Sequence, residues 1–153
     1  MQSKFILVVA VASAFAAPAA AMTYDENAFR TIHADFQTQL EEAAALPAET
    51  GSAARNAAVL MAAQNNAQER LVLPCLTDAG QTPAAKALHA EMPTLLEGDI
   101  ALVTALVELY GAAETAGQPE TARMAERMIW HETSDIHMLY PAALRVGAMA
   151  DAD

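Results

Sequence analysis

The residues most able to do chemistry are a histidine and an aspartate near the C-terminal end of the chain. His131 and Asp135 belong to a series of residues that recur every three or four positions: Met124, Met128, His131, Asp135 and Met138. This spacing predicts one stripe along a helix, and its methionines indicate that the stripe faces a core. A carboxylate in a core is costly unless it is paired, protonated or bound to a metal. His131 and Asp135 therefore predict a metal site inside a helical protein.

Two other histidines lie in apolar stripes of two other predicted helices. His33 follows Phe29 by four residues and precedes Phe36 by three, and His89 has the same spacing to an alanine before it and a methionine after it. Histidine is a common ligand of zinc, copper and iron. Three inward histidines on three helices, together with Asp135, favour a metal site over the alternative of core histidines that are hydrogen-bonded to their neighbours.

Four helices are expected to position these residues, because the chain is rich in Ala, Leu, Glu and Gln and is interrupted by Pro and Gly. They are predicted over residues 25–46, 52–73, 83–110 and 119–140, with a short helix over 142–149 at the end. The apolar stripe of the third consists of Met92, Leu96, Val103 and Val107. Short connections favour antiparallel neighbours, so the predicted fold is all-α, an up-down-up-down antiparallel four-helix bundle.

The first 21 residues have the features of a secretory signal peptide. Lys4 provides a positive start, residues 5–17 are apolar, and three alanines at 19–21 suit cleavage. We therefore expect a signal peptide over residues 1–21 and one periplasmic or secreted domain over residues 22–153. The alternative is an N-terminal membrane anchor, for which the apolar run is short.

Charge and cysteine content exclude several classes of function. The eight Lys and Arg residues include Lys4 of the leader, which leaves seven against 19 Asp and Glu and a net charge of −12 after cleavage. Nucleic acids and anionic membranes carry charge of the same sign, so neither is expected as a partner. Cys75 is the single cysteine, so the chain forms no internal disulfide and has no motif for covalent haem attachment. No nucleophile–base pair or phosphate loop is present, and we do not expect an enzyme.

The second predicted helix ends in a pattern similar to the end of the fourth. Aligning the prolines that follow the two helices places Gln64 opposite His131 and Gln68 opposite Asp135. Amides offer only neutral carbonyl oxygens, which are weak ligands for a transition metal. Glu69, one residue out of register, is a further candidate carboxylate ligand.

Taken together, the motifs resemble the hemerythrin-like HHE cation-binding domain over about residues 29–144. They are Ile32-His33-Ala-Asp-Phe36, Leu88-His89-Ala-Glu-Met92, and His131-x-x-x-Asp135 before Leu139-Tyr140-Pro141. The resemblance implies a four-helix bundle that holds non-haem iron. It implies His33, His89, His131 and Asp135 as ligands, with Asp in place of the usual Glu. On the second helix only Glu69 is kept, and the expected histidine is absent.

The resemblance implies a protein that binds or senses O2 or another small diatomic molecule, or that holds iron as one or two ions. A single metal on three histidines and Asp135, a second iron held loosely by Glu69, and a scaffold that has lost its metal are the alternatives for the site. The methionines suit a different cofactor, either non-covalent haem held between His and Met or Cu(I). A metal-free interaction module, whose core polar residues hydrogen-bond one another, is the last alternative.

Overall fold

The computed structural model describes residues 25–77 and 82–150, which are helical apart from short connections and contain no strand. The elements are α1 (Glu26–Ala43), α2 (Ala48–Leu71), α3 (Leu73–Thr77), α4 (Thr82–Thr115), α5 (Pro119–Ser134), a π-helical turn (Asp135–Leu139) and α6 (Tyr140–Ala150). The all-α prediction is confirmed for this part of the chain. The predicted signal peptide, residues 1–21, lies outside the described residues.

None of the described helices is long and apolar enough to cross a membrane.

The helices pack as a bundle around two apolar clusters. Helices α1 and α4 each pack against α2 and α5, and α6 packs against α3 and α4. The first cluster joins α1, α2, α4 and α5 and includes Leu40, Met61, Leu102, Leu106 and Met128. The second lies where α2, α3, α4 and α6 meet and includes Leu71, Val72, Cys75, Leu88, Leu95 and Tyr140. Cys75 is buried, as expected for a lone thiol that fills space in a core.

Two prolines that the sequence placed at helix ends lie instead in the first turn of a following helix. Pro74 is the second residue of α3, and Pro141 is the second residue of α6. Pro74 lies in the first turn of α3, where N–H groups are left unpaired, so a proline there loses no hydrogen bond.

The π-helical turn lies immediately before Pro141. In a regular helix the ring of Pro141 would clash with the carbonyl four residues before it. The helix is wider here, and the N–H of Tyr140 donates to the carbonyl of Asp135, five residues before it. The chain therefore continues from α5 into α6 instead of ending at Pro141.

Helix α4 buries a different stripe from the predicted one. The predicted residues Met92, Leu96 and Val103 are half-buried, and Val107 is 52% exposed. The buried stripe consists of Leu88, Leu95, Asp99, Leu102, Leu106 and Leu109. From Leu95 onward its residues recur at steps of three and four positions, which is the spacing of one helix face. A change of one residue rotates a helix face by about 100°, so this prediction was wrong by less than a third of a turn.

Candidate metal centre

A layer of buried polar side chains lies between the two apolar clusters. On α2 it contains Gln64 and Gln68, which are 4% and 0% exposed. On α4 it contains Asp99, and at the end of α5 and the start of the π turn it contains Glu132 and Asp135. On each of these helices the polar residues lie between members of one cluster and members of the other. The helices thus bring several polar groups to one level of the bundle.

His33 from α1 and His131 from α5 meet beside this layer. Their Nε2 atoms are 3.1 Å apart, and each lies 3.8 Å from Oδ2 of Asp135. Glu132 adds a carboxylate, and one ligand atom from each of His33, His131 and Glu132 lies within 4.8 Å of the other two. These three residues form a cluster that could hold a metal ion.

Asn65 on α2 fixes the imidazole of His33. Nδ1 of His33 lies 2.6 Å from Oδ1 of Asn65, an oxygen that can only accept, so Nδ1 carries the proton and the lone pair of Nε2 accepts from Nε2 of His131 at 3.1 Å. Burial lowers the pKa of His33 to about 4 and also lowers the pKa of His131. Both imidazoles are therefore neutral at pH 7, which is the form that binds metals.

Three buried carboxyl groups in the layer have no positively charged partner in the part of the chain that the structure describes. Both carboxylate oxygens of Glu132, and Oδ2 of Asp99 and of Asp135, form no hydrogen bond within the described chain. Among residues 25–77 and 82–150, no Lys or Arg pairs with them. Burial raises the pKa of Asp99 to about 7. Burial, and then repulsion by neighbouring carboxylates, raises the pKa of Asp135 to about 7 and that of Glu132 to about 8. A proton or a bound cation would stabilise such groups.

The two amides of α2 hold Tyr140 and Asp99. Nε2 of Gln64 donates to Oδ1 of Asp99 at 2.6 Å and to the hydroxyl of Tyr140 at 3.1 Å. Nε2 of Gln68 donates to the same hydroxyl at 2.7 Å, and that hydroxyl donates to Oδ1 of Asp99 at 3.1 Å. Gln64 and Gln68, which the sequence suggested as weakened ligands, therefore take part in a hydrogen-bond network beside the histidines.

Of the site residues that the sequence suggested, His33, His131 and Asp135 come together and two others do not. His89 follows Leu88 of the buried stripe by one residue, so its side chain points about 100° away and is exposed; the prediction that it faces the core was wrong. Glu69 is 41% exposed at its side chain and forms an ion pair with Arg30 at 2.7 Å. On that turn of α2 the buried side chain is that of the preceding residue, Gln68.

Two carboxylates of the polar layer were missed, although the sequence contains a signal for each. Glu132 lies four residues after Met128 and three before Asp135, and both neighbours are buried. Asp99 lies four residues after Leu95 and three before Leu102, which are buried as well. The same helical steps that indicated His131 and Asp135 could have indicated these residues.

Tyr140 was missed for a different reason. It lies five residues after Asp135, a step that would put it on another face of a regular helix. The π turn brings both side chains to the interior, and it turns Met138 outward, where it is 70% exposed. The prediction that Met138 faces the core was therefore wrong.

A surface groove opens beside His131, and its volume is about 630 Å³. Its other lining residues are Thr31, Ile32, Asp35, Phe36, Arg127, Trp130 and Ser134. The ring of His131 meets Phe36 edge-on, with 5.2 Å between ring centroids, and 26% of the His131 side chain is exposed. Trp130, which lines the groove, is 68% exposed. His131 thus lies between the groove and the cluster, which gives small molecules a short approach to it.

Comparisons with protein-family models, with curated proteins and with solved structures find no match.

Proposed function

We propose that this chain is a hemerythrin-like protein that holds non-haem iron between α1 and α5. The ligands are His33, His131 and Glu132, with Asp135 beside them. The observation that carries the proposal is the meeting of two neutral imidazoles with carboxylates that no Lys or Arg of the described residues pairs with. Two histidines and one carboxylate with open positions are the donor set typical of non-haem Fe(II). Iron bound there would supply reversible binding of O2 or another small diatomic molecule.

The unpaired oxygens favour this function over a metal-free interaction module. In a module of that kind the core polar groups would satisfy one another, as Gln64, Tyr140 and Asp99 do through Oδ1 of the aspartate. Glu132 departs from that pattern, since it is 0% exposed and both of its oxygens lack a partner within the described residues. A buried carboxylate left unpaired is strongly destabilising, whereas a metal ion would pair with it.

The methionines support a packing role more than a role as haem or copper ligands. Met61, Met124 and Met128 are buried within the first apolar cluster, among leucines and alanines. Methionine commonly fills irregular gaps in such cores. Non-haem iron therefore remains the cofactor that we propose.

The up-down-up-down order of the helices and export of the chain belong to the same proposal. Only residues 44–47 connect α1 to α2, and only residues 116–118 connect α4 to α5. Connections this short favour antiparallel neighbours in a bundle. The iron would be bound after export and removal of residues 1–21.

Metal content tests the proposal. The protein is exported with its own leader, purified without chelator, and measured by mass spectrometry together with its absorption spectrum. We expect iron without a Soret band, and a large loss of iron in His131→Ala and in Glu132→Gln. Two exposed histidines provide matched controls, and His89→Ala and His137→Ala should keep the iron of the parent protein.

Two results would overturn the assignment. The first is an unchanged iron content in His131→Ala. The second is a loss of iron in His89→Ala as large as that in His131→Ala, which would support the ligand set suggested by the sequence. A Soret band in the parent protein would show haem in place of non-haem iron.

A further inference from the structure

Helix α4 carries a second apolar stripe that the rest of the described chain covers only in part. Its residues recur at steps of three and four positions, and they are Met92, Leu96, Ile100, Val103, Val107 and Tyr110. Ile100, Val107 and Tyr110 are 63%, 52% and 38% exposed, and the other three are half-buried. A contiguous apolar stripe about five helical turns long on a protein surface indicates an interaction site.

Charged residues stand at the two ends of this stripe. The same helical steps lead to His89, three residues before the first stripe residue, and to Glu114, four residues after the last, and both are exposed. Lys86, three residues before His89, adds a positive charge at that end. Glu97 and Glu108 each follow a stripe residue by one position, so their side chains point about 100° away from it. The stripe is thus apolar along its length, basic at one end and acidic at the other.

The order of the apolar residues matches itself when it is read in the opposite direction. Two copies of α4 can lie antiparallel about a two-fold axis that passes between positions 101 and 102. Ile100 then lies opposite the partner's Val103, and Leu96 lies opposite the partner's Val107. A two-fold axis repeats each of these pairs, so one surface of the chain is complementary to itself.

The same axis brings the opposite ends of the two stripes together. His89 lies opposite the partner's Glu114 at both ends of the pair, and an imidazole and a carboxylate form a hydrogen bond, or an ion pair when the imidazole is protonated. A shift of one copy by one helical turn would place Glu114 opposite the partner's Met92, or His89 opposite the partner's Tyr110. A parallel pair would place the two glutamates side by side. The end residues therefore favour the antiparallel arrangement in this one register.

We propose that α4 forms the interface of a symmetric homodimer, in which the apolar stripes of two copies of this chain pack antiparallel in this register. One helix from each copy gives an interface at the small end of the specific range, so we expect a dissociation constant of about 1–100 μM. The stripe contains none of the proposed iron ligands His33, His131 and Glu132, so the dimer does not depend on the iron site.

Sedimentation equilibrium of the exported protein tests the interface. We expect a monomer–dimer equilibrium, and Val107→Lys should raise its dissociation constant by about 100-fold or more, because each copy would place an unpaired charge against the partner's Leu96. Val107 is half exposed in one copy, so the lysine fits the folded chain, which circular dichroism checks. Val59→Lys is the matched control, since Val59 is an exposed valine on α2 and its substitution should leave the equilibrium unchanged.

Three results would overturn the dimer. They are a parent protein that stays monomeric up to about 1 mM, a dissociation constant that Val107→Lys leaves unchanged, and a loss of affinity in Val59→Lys as large as that in Val107→Lys.

An exchange of the end charges tests the register. His89→Glu and Glu114→Lys each place like charges opposite each other at both ends, and each should raise the dissociation constant by about 3- to 10-fold. The double variant restores opposite charges and should dimerise within about threefold of the parent. Glu108→Lys changes the net charge as Glu114→Lys does, but outside the stripe, and should not weaken the dimer. A double variant no better than the weaker single variant, or an equal weakening by Glu108→Lys, would overturn the register.

Discussion

His33 can bind a metal through Nε2 only in one tautomer, and Asn65 selects that tautomer. The oxygen of Asn65 accepts from Nδ1 at 2.6 Å, and the ring of Phe29 packs against the imidazole with 4.0 Å between ring centroids. A partner of this kind keeps the ring oriented and raises its basicity, and losing it typically costs about 10- to 100-fold in metal affinity.

Asn65→Ala should therefore weaken iron binding by about 10- to 100-fold and leave the helical content unchanged. Competition with a chelator of known affinity measures this loss. The next residue on α2 supplies the control, because Asn66 is exposed and Asn66→Ala should bind iron as the parent does. Equal affinities in both variants would show that the hydrogen bond to His33 does not support the site.

Because Gly98 has no side chain, the side chain of Gln64 fits between α2 and α4. A Cβ atom at position 98 would collide with Oε1 of Gln64. The glutamine is held by hydrogen bonds to Asp99 and Tyr140, so it can move aside only by breaking the network. The absence of a side chain at this position is thus a requirement of the polar layer.

Gly98→Ala should lower the free energy of unfolding by about 1–3 kcal/mol, the usual cost of overpacking. Gly111 lies on the same helix with nothing within 4 Å of an added Cβ atom. There the same substitution should stabilise the protein by about 0.4–1 kcal/mol, because alanine restricts the unfolded chain. Denaturant titrations of both variants measure the difference, and two shifts of the same sign would contradict the packing argument.

The connection between α1 and α2 depends on two residues with unusual backbone requirements. Ala48 has φ of 56°, in the left-handed region that costs an alanine roughly 1–2 kcal/mol. Gly51, one turn later, lies against the backbone carbonyl of Leu46, and a Cβ atom there would collide with that oxygen. The close approach lets α2 follow α1 after only four connecting residues, 44–47.

Ala48→Gly should therefore raise the free energy of unfolding by up to about 1 kcal/mol. At an ordinary helical position an alanine-to-glycine substitution destabilises the protein. Ala62→Gly, on the exposed side of α2, should therefore lower the free energy of unfolding by about 1 kcal/mol. Gly51→Ala should lower the free energy of unfolding by more than either of these substitutions changes it, because the added Cβ atom would meet a backbone carbonyl that cannot move aside. Thermal melts rank the three variants by stability. A loss of stability in Ala48→Gly would contradict the argument from the positive φ of Ala48.

The sequence predicted the helices well because long stretches of good helix formers between prolines leave few alternatives. It predicted the burial of His33 and Asp135 because the helical steps at these positions point inward. It failed at His89 because α4 offers two apolar stripes one residue apart, and contacts with α2 and α5 decide which one is buried. It failed at Met138 because a rule with 3.6 residues per turn does not apply across the π turn before Pro141.

Across the whole molecule, the polar layer costs stability in the metal-free state. Three carboxyl groups lie between apolar clusters and are opposed by no Lys or Arg within the described residues. Burial raises the pKa values of Asp99, Glu132 and Asp135, and repulsion from neighbouring carboxylates adds to the rise for Glu132 and Asp135, so these groups hold protons near neutral pH. Metal ions would displace those protons, so stability, pH and metal binding are linked.

The metal-free protein should become less stable as pH rises from 6.5 to about 8.5. The pKa values of Asp99, Glu132 and Asp135 are about 7, 8 and 7 in the folded chain, above ordinary values of 3.8, 4.5 and 3.8. The folded chain therefore binds protons that the unfolded chain has already released, and their stabilisation is lost as pH passes through 7 and 8. The pKa of His33 is lowered from 6.5 to about 4, so the contribution of His33 to stability rises with pH, but that rise takes place below this pH window.

Unfolding free energies from urea titrations across this window should fall by roughly 2–4 kcal/mol in chelator-treated protein. Glu132→Gln removes the carboxyl group with the highest pKa of the three, so the unfolding free energy of this variant should fall less between pH 6.5 and 8.5. Saturating Zn2+ should abolish or reverse the decline, because the metal ion requires the deprotonated carboxylates and replaces their protons. A stability that is constant or rises with pH in the metal-free protein would mean that these carboxyl groups are already ionised and paired, and the case for a cation in the polar layer would then lose its basis.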